Sequence, residues 1–425
     1  MHDKFSSAMR AYTVGLLTLI WSANYLDRQI FAILLQSIKV EMALSDTQLG
    51  LVSGLAFALF YTTFGLPLAY LADRANRKRL IIASLSLFSV MTYACGLAQN
   101  FWHLLLARMG VGIGEAGTNP ASIAMISDMY PADRRATPMA FFALGLNIGI
   151  FAAFFFGGWL AQNYGWRATF QIVAVPGLVL AVLAGLTMRE PARGLSDQKG
   201  DAARKPPPAP PVKEVVIFMF QARAMRHMVA ALALVFAVSY GAIAWIPAHL
   251  IRVHAMSTTD IGMALALIIG VGGGIGTAAC GVLADCLAKR DMRWNFWLLG
   301  LVAIVTAPFL VLAFNAPTPF WALVFLVPGI SLNAVYLGPA LAMLQGMVKA
   351  EMRALASAVM MFVGNLIGLG LGPLIVGLVS DHLADSHGVR SLSVGLTLLA
   401  GLSIWSGGHF FTAARTLRQD LARAG

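Results

Sequence analysis

The sequence predicts an all-α membrane protein with twelve spanning helices, grouped in two similar six-helix bundles. Three observations lead there: an apolar composition, a series of long apolar runs, and a lopsided distribution of basic residues among the loops. The 425-residue chain is 59% hydrophobic and only 12% charged, with a mean hydropathy of +0.76. Soluble domains carry roughly 25% charged residues, so this chain lacks the polar groups to cover a surface in water. Disordered chains are poor in apolar residues, which excludes that class as well. A spanning helix needs about 20 apolar residues, and twelve of them with short loops use up the whole length.

The runs fall in order at about 10–37, 46–72, 79–98, 101–130, 136–162 and 167–188, then at about 224–251, 258–285, 293–315, 318–348, 353–381 and 390–415. None shows the alternation of a barrel strand. Lipid offers no partner to an open backbone, so each run is assigned as a helix. The first run lacks a small-residue cleavage site and is read as a retained span rather than a signal peptide. After the sixth comes the only long polar stretch, Glu190 to Arg223, which contains Lys205-Pro-Pro-Pro-Ala-Pro-Pro211. Proline at that density favours polyproline II and excludes a helix. It divides the chain into an N-terminal bundle (1–188), a cytoplasmic linker (189–223) and a C-terminal bundle (224–425).

An even number of spans puts both termini on one side. With that side in the cytoplasm, 24 of the 30 Lys and Arg lie in the tails, the linker and the loops on it; only Lys39, Arg167, Arg252 and Arg390 lie opposite. This is the positive-inside pattern. It predicts a multi-pass protein of the cell (inner) membrane with both termini cytoplasmic. It also accounts for the net charge of +11: the basic residues face an anionic leaflet, and no nucleic-acid partner is expected. Cys95, Cys280 and Cys286 have neither disulfide nor metal spacing and read as small apolar fillers.

The halves repeat one another. Ala69-Tyr-Leu-Ala-Asp73 closes the second span as Gly281-Val-Leu-Ala-Asp285 closes the eighth. Pro120 matches Pro339, and from there Arg134 falls on Arg353, Gly145 on Gly364 and Gly149 on Gly368. Two parallel six-helix repeats are a transporter plan.

Four ionisable residues lie deep in the spans: Asp27 and Arg28 in the first, Arg108 and Glu115 in the fourth. Each costs a few kcal/mol in hydrocarbon and so faces a partner or a cavity. Asn24, Asp27 and Arg28 share one helical face, and Arg108, Glu115 and Asn119 share another. Burial raises a carboxyl pKa by up to about 3–5 units, which makes Asp27 and Glu115, with Arg108 exchanging partners between them, the candidate proton-coupling group. The deep polar groups of the second half are neutral: Tyr240, Trp245, Asn333, Tyr336 and Asn365. With Asn24, Arg28 and Asn119 they are the candidate substrate contacts. A cavity charged on one wall and amphipathic on the other suits a molecule with a polar head and an apolar body. At the cytoplasmic ends Asp73 and Asp285, with Arg74, Arg134 and Arg353 as partners, are the candidate gate.

Gly112-Ile-Gly114-Glu-Ala-Gly117 matches a dinucleotide fingerprint, but it lies inside an apolar helix with no preceding strand, so close helix packing is expected instead. No Walker motif, zinc spacing or hydrolytic grouping is present, so neither cofactor, metal nor enzymatic activity is expected. A monomer is expected.

Ala69-x-x-x-Asp73-Arg74-x-Asn76-Arg77-Lys78 resembles the signature loop of the major facilitator superfamily, G-x-x-x-D-R-x-G-R-R/K, with Ala69 and Asn76 in place of its glycines. Arg108-x-x-x-Gly112-x-Gly114 and Gly165-Trp166-Arg167-x-x-Phe170 are similar to further patterns of that superfamily. Within it, Asn24-Tyr25-Leu26-Asp27-Arg28 and Gly112-Ile-Gly114-Glu115-Ala116 resemble the Spinster family. The resemblance implies the major facilitator fold, with the first and fourth helices lining one cavity. It further implies proton-coupled secondary transport of a lysophospholipid or sphingolipid type of substrate. A transporter of drugs or small organic anions is the alternative, and a non-transporting receptor or scaffold a second one.

Overall fold

A computed structural model describes residues 6–193, 210–333 and 335–424, except for the side chains at 132, 285, 350 and 422–424. Within these residues the regular structure is helical throughout. Helix α1 (Ser7–Met42) starts on Ser6, whose hydroxyl accepts from the Met9 N–H. Helix α2 (Asp46–Arg74) starts on a reciprocal cap between Ser45 and Gln48. Helix α3 (Arg77–Gly96) is capped by Asn76, which accepts from the Arg79 N–H at 2.8 Å. A glycine in the signature loop could not cap in this way, so the departure at Asn76 has a local use.

Helix α4 is two pieces, Phe101–Ala116 and Thr118–Met129, that meet at Gly117. Helices α5 and α6 form one stretch, Ala136–Thr187, turned at Gly165. With φ 77° and ψ 168°, Gly165 adopts a conformation that other residues reach only under strain. Then follow α7 (Val212–Gln221), α8 (Arg223–His254), α9 (Thr258–Ala288), α10 (Trp294–Phe314), α11 (Pro319–Met347), α12 (Arg353–His382) and α13 (Ser391–Ala424).

Nine stretches among the described residues can cross a membrane by length and composition. Dividing the longest at Gly165, and adding α1 and α4 with their buried charges, gives the twelve spans. The sequence reading has no counterpart of α7, which begins directly after Pro211. Residues 205–209 of the proline run lie outside the described residues. Cys95 and Cys280 are buried as fillers are, but Cys286 is exposed, which corrects the reading of all three as packing groups.

The chain forms two compact units. Unit 1 comprises Met1–Leu44, Ala56–Arg204 and Ser257–Ala266; unit 2 comprises Ser45–Leu55, Lys205–Met256 and Leu267–Gly425. Thus α2 begins in unit 2 and continues in unit 1, and α9 does the reverse. Each of these helices has a π-helical stretch at its crossing point, Leu51–Leu55 in α2 and Ala266–Gly272 in α9. A third, Leu366–Leu371, interrupts α12.

Unit 1 is built on close helix contact at glycines. A Cβ on Gly112 would stand 2.7 Å from the Phe57 carbonyl, and one on Gly114 2.6 Å from the Phe88 nitrogen. The fingerprint-like triplet is therefore a packing face. At Gly149 the added atom would lie 2.3 Å from the Ser22 carbonyl, which seats α5 against α1. The start of α9 meets α5 at a glycine pair: a Cβ on Gly262 would be 2.3 Å from the Phe154 carbonyl, and one on Gly158 2.4 Å from the Thr258 carbonyl. Gly262→Val would meet the α5 backbone at Phe154 and Gly158, with no side chain there to displace. It should cost about 1–3 kcal/mol, the usual penalty of overpacking. Thermal melting of the purified protein should show the loss, whereas Gly281→Ala, where nothing lies within 4 Å, should melt as the parent does.

Candidate functional site

The four deep charges of the first half meet in unit 1. On α1, hydroxyls at Thr18 and Ser22 bond back to the carbonyls one turn earlier, at 2.8 and 2.9 Å. The helix runs on through Asn24, Asp27 and Arg28, all buried. Arg28 donates through Nε (3.0 Å) and Nη2 (2.7 Å) to Oε2 of Glu115, which is fully buried. Both N–H groups converge on that one oxygen in a charge-assisted contact.

Aromatic rings surround the pair. The Arg28 guanidinium lies 4.6 Å from the Tyr61 ring centre, 5.0 Å from Phe57 and 5.1 Å from Tyr25. Arg108 lies 4.9 Å from Phe31 and 5.2 Å from Phe57. Phe57 thus receives both arginines, and cation–π attraction offsets part of their desolvation. The Gly117 break places Thr118 where its hydroxyl donates to the Glu115 carbonyl (3.0 Å) and accepts from Asn24 Nδ2 (3.3 Å). Asn119 follows, half-buried.

Not every group in this cluster is mated. Among the described residues, no hydrogen bond reaches either oxygen of Asp27, the second oxygen of Glu115, or Nε and Nη1 of Arg108. The Thr92 hydroxyl beside Asp27 donates to the Phe88 carbonyl instead. Asp27 lies within electrostatic reach of Glu115, Arg108 and Arg28. Four charges with spare donors and acceptors can take a proton or an ionic ligand and re-pair around it.

The neutral candidates of unit 2 are dispersed. Asn333 donates to the Ser239 hydroxyl at 2.8 Å, and Tyr240 stands edge-on to Phe236. Asn365 is half-buried just before the π turn of α12. Trp245 is wholly buried, with its indole N–H on the Pro373 carbonyl at 2.8 Å. Tyr336 is buried in the apolar core, its ring stacked on Phe410.

The gate candidates are not joined as the spacing suggests. Asp73 is exposed, and among the described residues no ion pair joins it to Arg74 or Arg134. Arg74 stacks on Tyr70, 3.6 Å from the ring centre, and Arg134 sits 3.8 Å from its neighbour Asp133 in solvent. Arg353 donates to the Gln345 carbonyl within unit 2. The Asp285 side chain lies outside the described residues.

The buried arginine of the signature loop is Arg77 instead. It bonds Asp128, Glu190 (3.3 Å) and the Pro191 carbonyl (3.1 Å), while the N–H groups of Arg77 and Lys78 cap onto Glu190 at 2.9 and 3.0 Å. In unit 2, Arg252 makes a two-point pair with Asp46 at 2.7 and 2.8 Å, and Ser380 donates to the same carboxylate at 2.7 Å. Asp381 accepts the N–H groups of Asp46 and Thr47 at the start of α2, at 2.9 and 2.7 Å. Neither cluster is evident from charge counting. The Ser45-x-x-Gln48 capping box was the one local signal that Asp46 begins a helix. Among the described residues no group of three or more His, Cys, Asp and Glu is placed to hold a metal.

Residues 17–373 match the model of the Major Facilitator Superfamily. An MFS-type efflux pump of Mycolicibacterium smegmatis is 32% identical over 413 residues, covering 96% of this chain and 93% of the pump. Protein spinster homolog 1 of Xenopus tropicalis is 26% identical over 436 residues, covering 94% of this chain and 80% of that protein. Among solved structures, a bacterial homolog to the human lysosomal transporter Spinster, in an inward-facing and unoccupied conformation, superposes with a TM-score of 0.88 at 29% identity, covering 98% of this chain and 99% of the other.

Proposed function

This chain belongs to the major facilitator superfamily and is a multi-pass membrane transporter, not an enzyme; we propose that it moves an amphipathic, lipid-like substrate of lysophospholipid or sphingolipid type, driven by protons. The observation that carries this reading is the buried cluster of Arg28, Glu115, Asp27 and Arg108 in unit 1. Its two arginines and two carboxylates balance in charge. Taking up one proton on a carboxylate leaves it net positive, because arginine stays charged. A positive, desolvated cluster attracts an anionic head group, which a guanidinium fork can grip at two points. Proton loss restores the competing carboxylate. Proton and anionic lipid then bind cooperatively, and by linkage the effect is reciprocal. The likeness to Spinster proteins supports a lipid-like substrate. The likeness to an efflux pump favours, as second reading, export of a drug-like molecule. We place the protein in the inner membrane as a monomer, with both termini in the cytoplasm.

The test is flux of labelled lysophosphatidylglycerol, a neutral analogue and ethidium in proteoliposomes, with and without an imposed pH gradient. The expected result is gradient-dependent lysolipid flux whose affinity rises as pH falls, and loss of the preference for an anionic head in Arg28→Ala. Ethidium flux alone, or lysolipid flux indifferent to the gradient, would overturn it. Asp291→Asn is the control. Side-chain and backbone hydrogen bonds from Arg293 hold the Asp291 carboxyl down at about 2. A depressed carboxyl gives stability that is present above its unfolded value and is lost as pH falls through its folded one. Asp291 therefore stays ionised between roughly pH 5 and 8, and its replacement should leave the pH midpoint of transport unmoved.

A further inference from the structure

Among the described residues, helix α7 is the one helix longer than four residues that the twelve spans do not account for. Val215 and Met219 are buried, as is Ala222 just beyond its end, and all three belong to the same apolar core as Met225, Met228, Ala356 and Met360 at the starts of α8 and α12. That face fixes the helix to unit 2. The opposite face is no ordinary solvent face. Ile217 and Phe220 stand 46% and 49% exposed. Lys213, Ile217 and Phe220 follow one another at spacings of four and three, which aligns them in one stripe. A ten-residue helix that is apolar on its buried face and again on its outer face is not designed for water.

Its position says what covers that outer face. α8, a spanning helix, begins at Arg223, two residues after α7 ends. Phe220 therefore sits within one helical turn of the end of a membrane span, and the anchor at Val215 and Met219 prevents α7 from moving away from that level. The exposed charges around it are basic, Lys213, Arg223 and Arg226, against the single acid Glu214. A helix with apolar side chains at the acyl border and basic ones at its rim is the composition of an interfacial lipid-binding element. We infer that α7 is an interfacial foot: Ile217 and Phe220 insert into the leaflet on the basic-loop side, and Lys213, Arg223 and Arg226 hold the phosphates of anionic phospholipids there.

The experiment uses the full chain with Cys95, Cys280 and Cys286 replaced by serine or alanine, and an environment-sensitive fluorophore on Ile217→Cys or, separately, Phe220→Cys. Both positions are surface-exposed, so the protein should fold with either label. The protein is reconstituted in vesicles of phosphatidylcholine, with or without phosphatidylglycerol. The expected result is strong quenching by lipids carrying a shallow spin label, weak quenching by aqueous iodide, and a several-fold gain in lipid quenching when phosphatidylglycerol is present. Replacing Lys213, Arg223 and Arg226 together by glutamine should remove that gain and leave the quenching in pure phosphatidylcholine. A label quenched by iodide instead puts the face in water. A label quenched by neither agent puts it under another part of the chain. Equal lipid quenching with and without phosphatidylglycerol denies the anionic contact. Each of these three outcomes overturns the inference.

Discussion

Glu115→Gln should reduce gradient-driven transport to background and lower the melting temperature, whereas Asp27→Asn should reduce transport without lowering it. The difference follows from the hydrogen bonds. Glu115 holds Arg28 by two charge-assisted bonds inside a ring of aromatic side chains. An amide oxygen can still accept them, but neutral bonds are roughly half as strong. Arg28 would also lose its directly bonded counter-charge, and leaving a buried group less well satisfied costs about 1–3 kcal/mol. Asp27 accepts no hydrogen bond among the described residues. Removing its charge relieves desolvation and breaks no hydrogen bond, at the cost of its through-space attraction to Arg108 and Arg28, so its variant should melt close to the parent temperature. Transport with a pH gradient and thermal melting of the same preparations check both halves. If the two variants melt alike, the mated and unmated roles given to these carboxylates are wrong.

The largest structural effect is expected at Arg77. Its side chain joins Asp128 at the end of α4, Glu190 after α6 and the Pro191 carbonyl, all within unit 1. Arg77→Ala would leave two carboxylates and a carbonyl around an empty space. Removing one partner of a buried ion pair costs about 3–5 kcal/mol. The acids here keep part of their contact with solvent, 18% and 21% by side chain, so the lower end is expected. Arg77→Lys should rescue little, since one ammonium cannot reproduce a planar fork on three partners. Arg74→Ala, which loses a surface stacking contact with Tyr70, should cost at most about 1 kcal/mol. Melting curves of the three variants decide it: an Arg74 variant as damaged as the Arg77 one would refute the ranking.

These arginines also mark how far the sequence could be read. The spans were legible because lipid demands long apolar runs, and Asp27, Arg28, Arg108 and Glu115 stood out because charge is rare inside such runs. Their grouping followed from helical spacing. Which carboxylate mates with which arginine did not, because Arg28 and Glu115 meet across two helices and the Gly117 break shifts α4 beyond it. In the signature loop, position alone cannot tell the arginine that turns into the bundle from the one that lies over a tyrosine. Asp46 and Arg252 were hidden for a different reason: both lie at span ends, where charge is ordinary. Trp245 and Tyr336 show the converse, since a polar tip on an aromatic ring does not reveal whether the ring faces a cavity or, as here, is buried. Helix α7 was masked by the prolines directly before it.

The π-helical stretches in α2 and α9 have a mechanical meaning. An α-helix behaves as a rod and passes torque along its length. A π turn winds in one surplus residue, opens the regular bonding and is a recognised place for a helix to kink. In α2 and α9 the surplus falls where the helix leaves one unit for the other. At that point each of these helices can bend locally while the regular turns on either side stay wound.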